Sequence, residues 1–207
     1  MQRQASRFFV EKLNERGLLR IGSTNFSAGA LSVRAQKKIA SKISNGSLTK
    51  IFLSPATERL FELVNSLLQT HFSKKDADKV CKNMIKLGVK IGILSANNML
   101  TKDEETQLEV VQKKLRSLVL TVLSLQQVAY SYDRTFLIER MTSLKESLQP
   151  VVMLNLSDKS AQRLDHIFDH FETPAFLDAL FLVNGPHDAL LKKVVAALTE
   201  LLDTDDI

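Results

Sequence analysis

Residues 74–94 read KKDADKVCKNMIKLGVKIGIL, and this stretch decides the fold. Advancing about 100° per residue gathers Lys75, Lys79, Lys82, Lys86 and Lys90 into one arc about 80° wide. The opposite side holds Ala77, Val80, Cys81, Met84, Leu87, Gly88, Ile91 and Gly92. A strand would alternate with a period of two, so this pattern predicts an amphipathic helix whose polar stripe is lysine alone. Ser73 stands at the N-cap, and Asn97-Asn98 breaks the period. Five like charges in a stripe repel one another and do not favour the helix. An anionic surface or ligand would relieve that repulsion, and beside an anionic leaflet each basic residue contributes on the order of 1 kcal/mol. The plainer reading of the stripe is a solvated face. Ala77, Cys81, Gly88 and Gly92 form a row of small residues on the other side, which implies close packing of a neighbouring helix or a ligand.

Upstream, Ser54 and Pro55 suit the N-cap and first position of a helix with Leu60, Leu63, Val64, Leu67 and Leu68 on its apolar face. Before it, a short basic helix is expected from about Ala30 to Ser44, ended by Asn45-Gly46 and carrying Arg34, Lys37, Lys38 and Lys42 beside Leu31, Ala35 and Ile39. Residues 22–29 look like a linker. Residues 1–25 are expected to be a flexible or weakly helical arm in which Glu11 and Glu15 argue against a mitochondrial presequence.

Downstream, Thr101 with Glu104 forms a capping box that opens a helix to about Val128. Its second half is apolar on most sides, so it is expected to be central and buried. Further helices are expected from about Asp133 to Leu154, from Ser157 to Phe171, from Thr173-Pro174 to about Leu182, and from Gly185-Pro186 to the acidic end at Asp203, Asp205 and Asp206. The prolines are read as helix starts. No strand pair or internal repeat is evident, and the fold class is all-α.

With 207 residues, 44% hydrophobic and 25% charged, the chain can bury a sizeable core. Its 28 Lys+Arg against 23 Asp+Glu give a net charge of +5, which favours anionic partners. Tryptophan is absent and only two tyrosines occur, so no stacking platform for bases is formed and a nucleic-acid partner is not expected. Cys81 is the single cysteine; it reads as a small core residue of a chain that lives in a reducing compartment. The most apolar run, Leu118 to Leu125, is interrupted by Thr121 and Ser124 and is far shorter than the roughly 20 residues of a membrane span.

Catalytic motifs are lacking. His166 and His170 share a helix face, but the Glu of a His-Glu-x-x-His site is missing, and His170 near a helix C-terminus suits capping of carbonyls. No nucleophile elbow, P-loop or dinucleotide fingerprint occurs. The chain reads as a non-enzyme without metal or cofactor.

From about Phe26 to Ile207 the sequence resembles the tumour necrosis factor alpha-induced protein eight (TIPE) family. The resemblance is carried by Ala35-Gln36-Lys37-Lys38-Ile39 with Ser41-Lys42, and by Lys79, Lys82, Lys86 and Lys90 running into Ile93-Leu94 and Asn97. It continues through Lys114-Leu115 with Thr121-Val122 and Ser124. Its most specific part is Phe168-Asp169-His170-Phe171 followed by Pro174, Phe176-Leu177 and Ala179-Leu180; the ending from Leu202-Asp203 also matches.

This resemblance implies a bundle of six to seven helices around an apolar cavity. It implies an intracellular, peripherally membrane-associated protein that binds phospholipids, phosphoinositides among them, and shuttles them in cell-death and inflammatory signalling, with small GTPases as partners. The head-group residues expected are Lys37, Lys38, Lys42, Lys82, Lys86, Lys90, Lys113 and Arg116. The expected tail-lining residues are Leu63, Leu67, Met84, Gly88, Leu118, Val122, Leu125, Met141, Leu144, Phe168 and Leu177. Ala96 and Gln112 stand where relatives can carry arginine, with Lys113, Lys114 and Arg116 as compensation. The alternative is a solid helical adaptor that grips acidic proteins through its basic surface. A monomer is expected in either case.

Overall fold

The computed structural model describes residues 55–128 and 130–203. Ser54, the basic helix expected at 30–44 and the N-terminal arm lie outside these residues. The described chain is all helical: α1 (Pro55–Leu68), α2 (Lys74–Ala96), α3 (Lys102–Gln127), α4 (Arg134–Asn155), α5 (Asp158–Phe171), α6 (Pro174–Leu180) and α7 (Asp188–Asp203).

Local chemistry sets the boundaries. The Ser73 side chain accepts from the Asp76 N–H and opens α2, whose C-cap is Asn97. Thr101 and Glu104 form the full reciprocal box at the start of α3: the Glu104 N–H donates to Thr101 Oγ1 at 3.3 Å and the Thr101 N–H to Glu104 Oε2 at 2.8 Å. Asp133 caps α4 through the Phe136 N–H. Thr173 precedes α6 without a side-chain cap bond; its hydroxyl donates back to the Asp169 carbonyl at 2.9 Å. Helix α7 begins at Asp188 rather than at Gly185-Pro186. Asn184 takes a φ of 55° there. A Cβ on Gly185 would stand 2.7 Å from the Leu182 carbonyl oxygen, so only glycine fits that turn.

Two further sequence expectations are corrected. Pro150 lies inside α4, not at a helix start. Its missing N–H removes one rung of the helix, and nearby carbonyls of α4 are engaged from α3: Gln107 Nε2 donates to the Ser147 carbonyl at 2.9 Å and Lys114 Nζ to the Ser143 carbonyl at 3.1 Å. The second half of α3 is not buried on most sides. Val119 and Leu123 are buried, but Leu120 is 48% and Val128 57% exposed. The Thr121 and Ser124 hydroxyls donate to the carbonyls of Ser117 and Leu120, both at 2.9 Å, so this face meets solvent with its polar atoms satisfied inside the helix.

The principal packing pairs are α1–α2, α2–α5, α5–α4, α4–α3, α3–α7 and α7–α1. They close a ring of six helices in which each lies between two neighbours. Two links cross this ring from one side to the other. At one end the short link between α2 and α3 crosses. That end also carries the Glu104–Asn155 hydrogen bond of 2.9 Å, between the start of α3 and the end of α4. At the other end α6 crosses between α5 and α7, burying Phe176, Leu177 and Leu180. Phe72 packs there against Phe176 and His170, at ring-centroid distances of 5.4 and 4.8 Å, and Tyr132 stacks on Phe181 at 4.9 Å. One end of the ring is thus stoppered by aromatic residues, and the other is spanned by a five-residue link.

Candidate functional site

The lysine stripe of α2 passes from solvent into the protein. Lys75 and Lys79 are exposed, Lys82 and Lys86 are half-buried, and Lys90 is only 1% exposed. Lys90 sits near the end of α2, where the first turn of α5 covers it. Its Nζ donates to Ser160 Oγ at 2.8 Å, and Ser160 is fully buried. Ser157 Oγ lies 3.5 Å from Ser160 Oγ and makes no cap bond to α5. One turn further along α5, Arg163 is 7% exposed, and its Nη1 has no hydrogen-bond partner.

The electrostatics of this seam are one-sided. Burial first, then the charges of Arg163, Lys86 and Lys159, push the Lys90 ammonium down to about 8. Burial also lowers Lys86, with Arg163, Lys159 and Lys82 adding to the effect, and burial lowers Arg163. Among the described residues, the charges acting on Lys86 and Lys90 are positive. The buried acids are engaged elsewhere. Asp78 accepts from Asn65 Nδ2 at 3.1 Å, and Glu104 caps α3 while accepting from Asn155.

The other expected head-group residues are placed differently. Lys113 and Arg116 are exposed on α3, which stands opposite α2 in the ring and is not one of its principal neighbours. Ala96 is half-buried at the end of α2, and Gln112 is exposed. Lys37, Lys38 and Lys42 lie outside the described residues. Lys114 is bound inward, with its Nζ donating to Ser143 Oγ at 2.8 Å and to Ser147 Oγ at 2.6 Å.

The expected tail-lining residues come from six helices. Leu67, Met141, Leu144, Phe168 and Leu177 belong to the buried core. Leu63, Met84, Leu118, Val122 and Leu125 are partly buried against it, and Gly88 is half-buried. Leu125 also lines an open hollow of about 440 Å³ with Leu120, Thr121, Val128 and Phe136. In the row of small residues, Ala77 and Cys81 are fully buried. Burial pushes the Cys81 thiol up to about 12, which suits a packing role. His170 Nδ1 lies 2.8 Å from the His166 carbonyl oxygen one turn back, inside the helix rather than among its terminal carbonyls.

Sequence reasoning missed Ser160 and Arg163. A signal was present: with Leu164 at zero, Ser160 falls at about 320° and Arg163 at about 260°, within or beside the arc of Ile167, Phe168 and Phe171. A basic residue at the rim of an apolar face was the cue.

Comparison with known proteins places the whole bundle. Residues 26–205 match the family model described as tumor necrosis factor alpha-induced protein 8-like. Tumor necrosis factor alpha-induced protein 8 of Gallus gallus is 34% identical over 88% of this chain and 97% of its own length. The Homo sapiens protein of that name is 34% identical over 88% of this chain and 92% of its own. Protein salivary glands marred of Drosophila melanogaster is 30% identical over 88% of this chain and 97% of its own. By matches of this extent, the chain belongs to the tumor necrosis factor alpha-induced protein 8 family.

Proposed function

We propose that this protein is a peripheral phospholipid-binding protein with a preference for phosphoinositide-class lipids, which it holds and transfers without catalysis or cofactor as part of a signalling or cell-death pathway. One observation carries the reading. A lysine row runs from solvent to the interior of a helix ring and, among the described residues, meets no acid there.

The ring supports the same reading from its geometry. The expected tail-lining residues lie in or against the apolar core of the ring, where acyl chains would be held. Exposed Lys75 and Lys79 bring the protein to an anionic surface, and this step is sensitive to salt. Tail burial then sets retention at about 0.8 kcal/mol per methylene. Among the described residues no helix is long and apolar enough to cross a membrane, so the association proposed is peripheral. The signalling role rests on family membership.

The test is native mass spectrometry of the purified protein with organic extraction, together with sedimentation on phosphatidylcholine vesicles with and without phosphatidylinositol bisphosphate. Stoichiometric lipid and binding that needs the phosphoinositide are expected. A bare protein indifferent to both vesicles overturns the reading. The exposed lysines favour a second reading, an adaptor that grips an acidic protein such as a small GTPase; salt-sensitive capture of such a protein by a lipid-free sample would support it.

A further inference from the structure

We propose that the seam between α2 and α5 contains a seat for one phosphate group, formed by Lys90, Ser160 and Arg163 with Lys86 at its outer edge. The inference rests on the lipid reading only for the phosphate's carrier. A buried ammonium has three donors, and Lys90 has a hydrogen bond to Ser160 alone. Arg163 brings a buried Nη1 with no partner. Ionised donors left unmatched in the interior are costly, and such groups are normally paired or bound to a ligand. Within the described chain the nearby charges are cationic, and an external anion would supply the missing partner.

The donor set selects its chemistry. Arg163 offers a planar fork, Lys86 and Lys90 offer point charges, and Ser160 offers a hydroxyl; a phosphate presents oxygens in enough directions to meet all of them. The first turn of α5, whose Ser157 makes no cap bond, adds the positive end of a helix. The seat also lies toward the end of the ring that, among the described residues, is crossed by the link between α2 and α3, away from the aromatic stopper. An anion here would offset the repulsion that Lys86, Arg163 and Lys159 exert on Lys90. Binding near pH 8 should therefore be accompanied by proton uptake.

The experiment titrates the full chain by calorimetry with inorganic phosphate and with dioctanoyl phosphatidic acid, at constant ionic strength and in two buffers of different ionisation enthalpy. Arg163→Gln and Lys90→Met are expected to lose at least about tenfold in affinity while keeping their helical circular dichroism, and Lys90→Met is expected to lose the proton uptake. If either variant unfolds, the half-buried Lys86→Gln replaces it. Binding of both ligands identifies a general phosphate seat, and binding of the lipid alone identifies a head group as the source. No binding of either ligand, or equal binding by wild type and variants, overturns the seat. The two proposals fail separately. Phosphate binding without any lipid or vesicle binding removes the lipid reading and keeps the seat. Lipid carried with undiminished affinity by Arg163→Gln removes the seat and keeps the reading.

Discussion

Two seams of the ring each hold a lysine away from bulk water, and they treat it differently. Between α3 and α4, Lys114 reaches the Ser143 carbonyl and the hydroxyls of Ser143 and Ser147, so all three ammonium donors are used. Between α2 and α5, Lys90 is buried more deeply and has one hydroxyl, with further cations around it. The first lysine ties two helices together. The second leaves its seam with an excess of positive charge. Burial of a charge alone says little about its role; the number of oxygens that receive it separates the two cases.

The comparison breaks most visibly with pH. The folded-state value of Lys90 lies near 8, below the 10.5 of the unfolded chain. Between these values the unfolded chain binds more protons, so stability rises with pH across this window. The penalty is fully present below pH 8 and is relieved above it. The expected gain is on the order of 2–3 kcal/mol, measured by urea unfolding between pH 7.5 and 10.5. Lys90→Met should flatten this rise, and a wild-type curve without it would break the contrast.

Next in size, Lys114→Met should lower stability by about 1–3 kcal/mol because three bonds to a charged group are lost. Lys90→Met, at neutral pH, should raise it. Thermal unfolding that moves both variants in the same direction would show that the seams do not differ. Thr101→Ala, which removes half of the box at the start of α3, should cost about 1 kcal/mol. The smallest effect on stability belongs to Lys75→Gln with Lys79→Gln, within about 0.5 kcal/mol. That pair should instead weaken vesicle binding at low salt, with the loss fading as salt rises.

Much of this architecture was legible from the residues. The Ser73 cap, the Thr101–Glu104 box and the start of α2 all follow from short-range chemistry that a sequence carries in full. The burial of Lys90 was not legible. Its place at the edge of the lysine arc is the same whether or not α5 covers that edge, and only the pairing of α2 with α5 decides it. The apolar second half of α3 misled for a related reason: hydrophobicity shows what could be buried, while the number of neighbouring helices sets how much is. Pro150 reads as a punctuation mark in sequence, yet it lies within α4, whose packing against α3 and α5 the sequence does not display. Arg163 was marked by its position beside Leu164 and Ile167, but a lone arginine at such a rim gains meaning only once Lys90 stands opposite.

The ring has a consequence for biogenesis. Helix α7 is the last element of the described chain and the one that sits between α3 and α1. On the ribosome, α1 to α6 emerge as an open arc whose apolar flanks on α1 and α3 lack the cover of α7. Closure waits for Leu191, Val194, Val195 and Leu201, which pack at one of the longest sequence separations in the molecule, the kind of contact that slows folding. A nascent chain stalled before Asp188 should be sticky and protease-sensitive, and one released with α7 intact should become compact in a single late step.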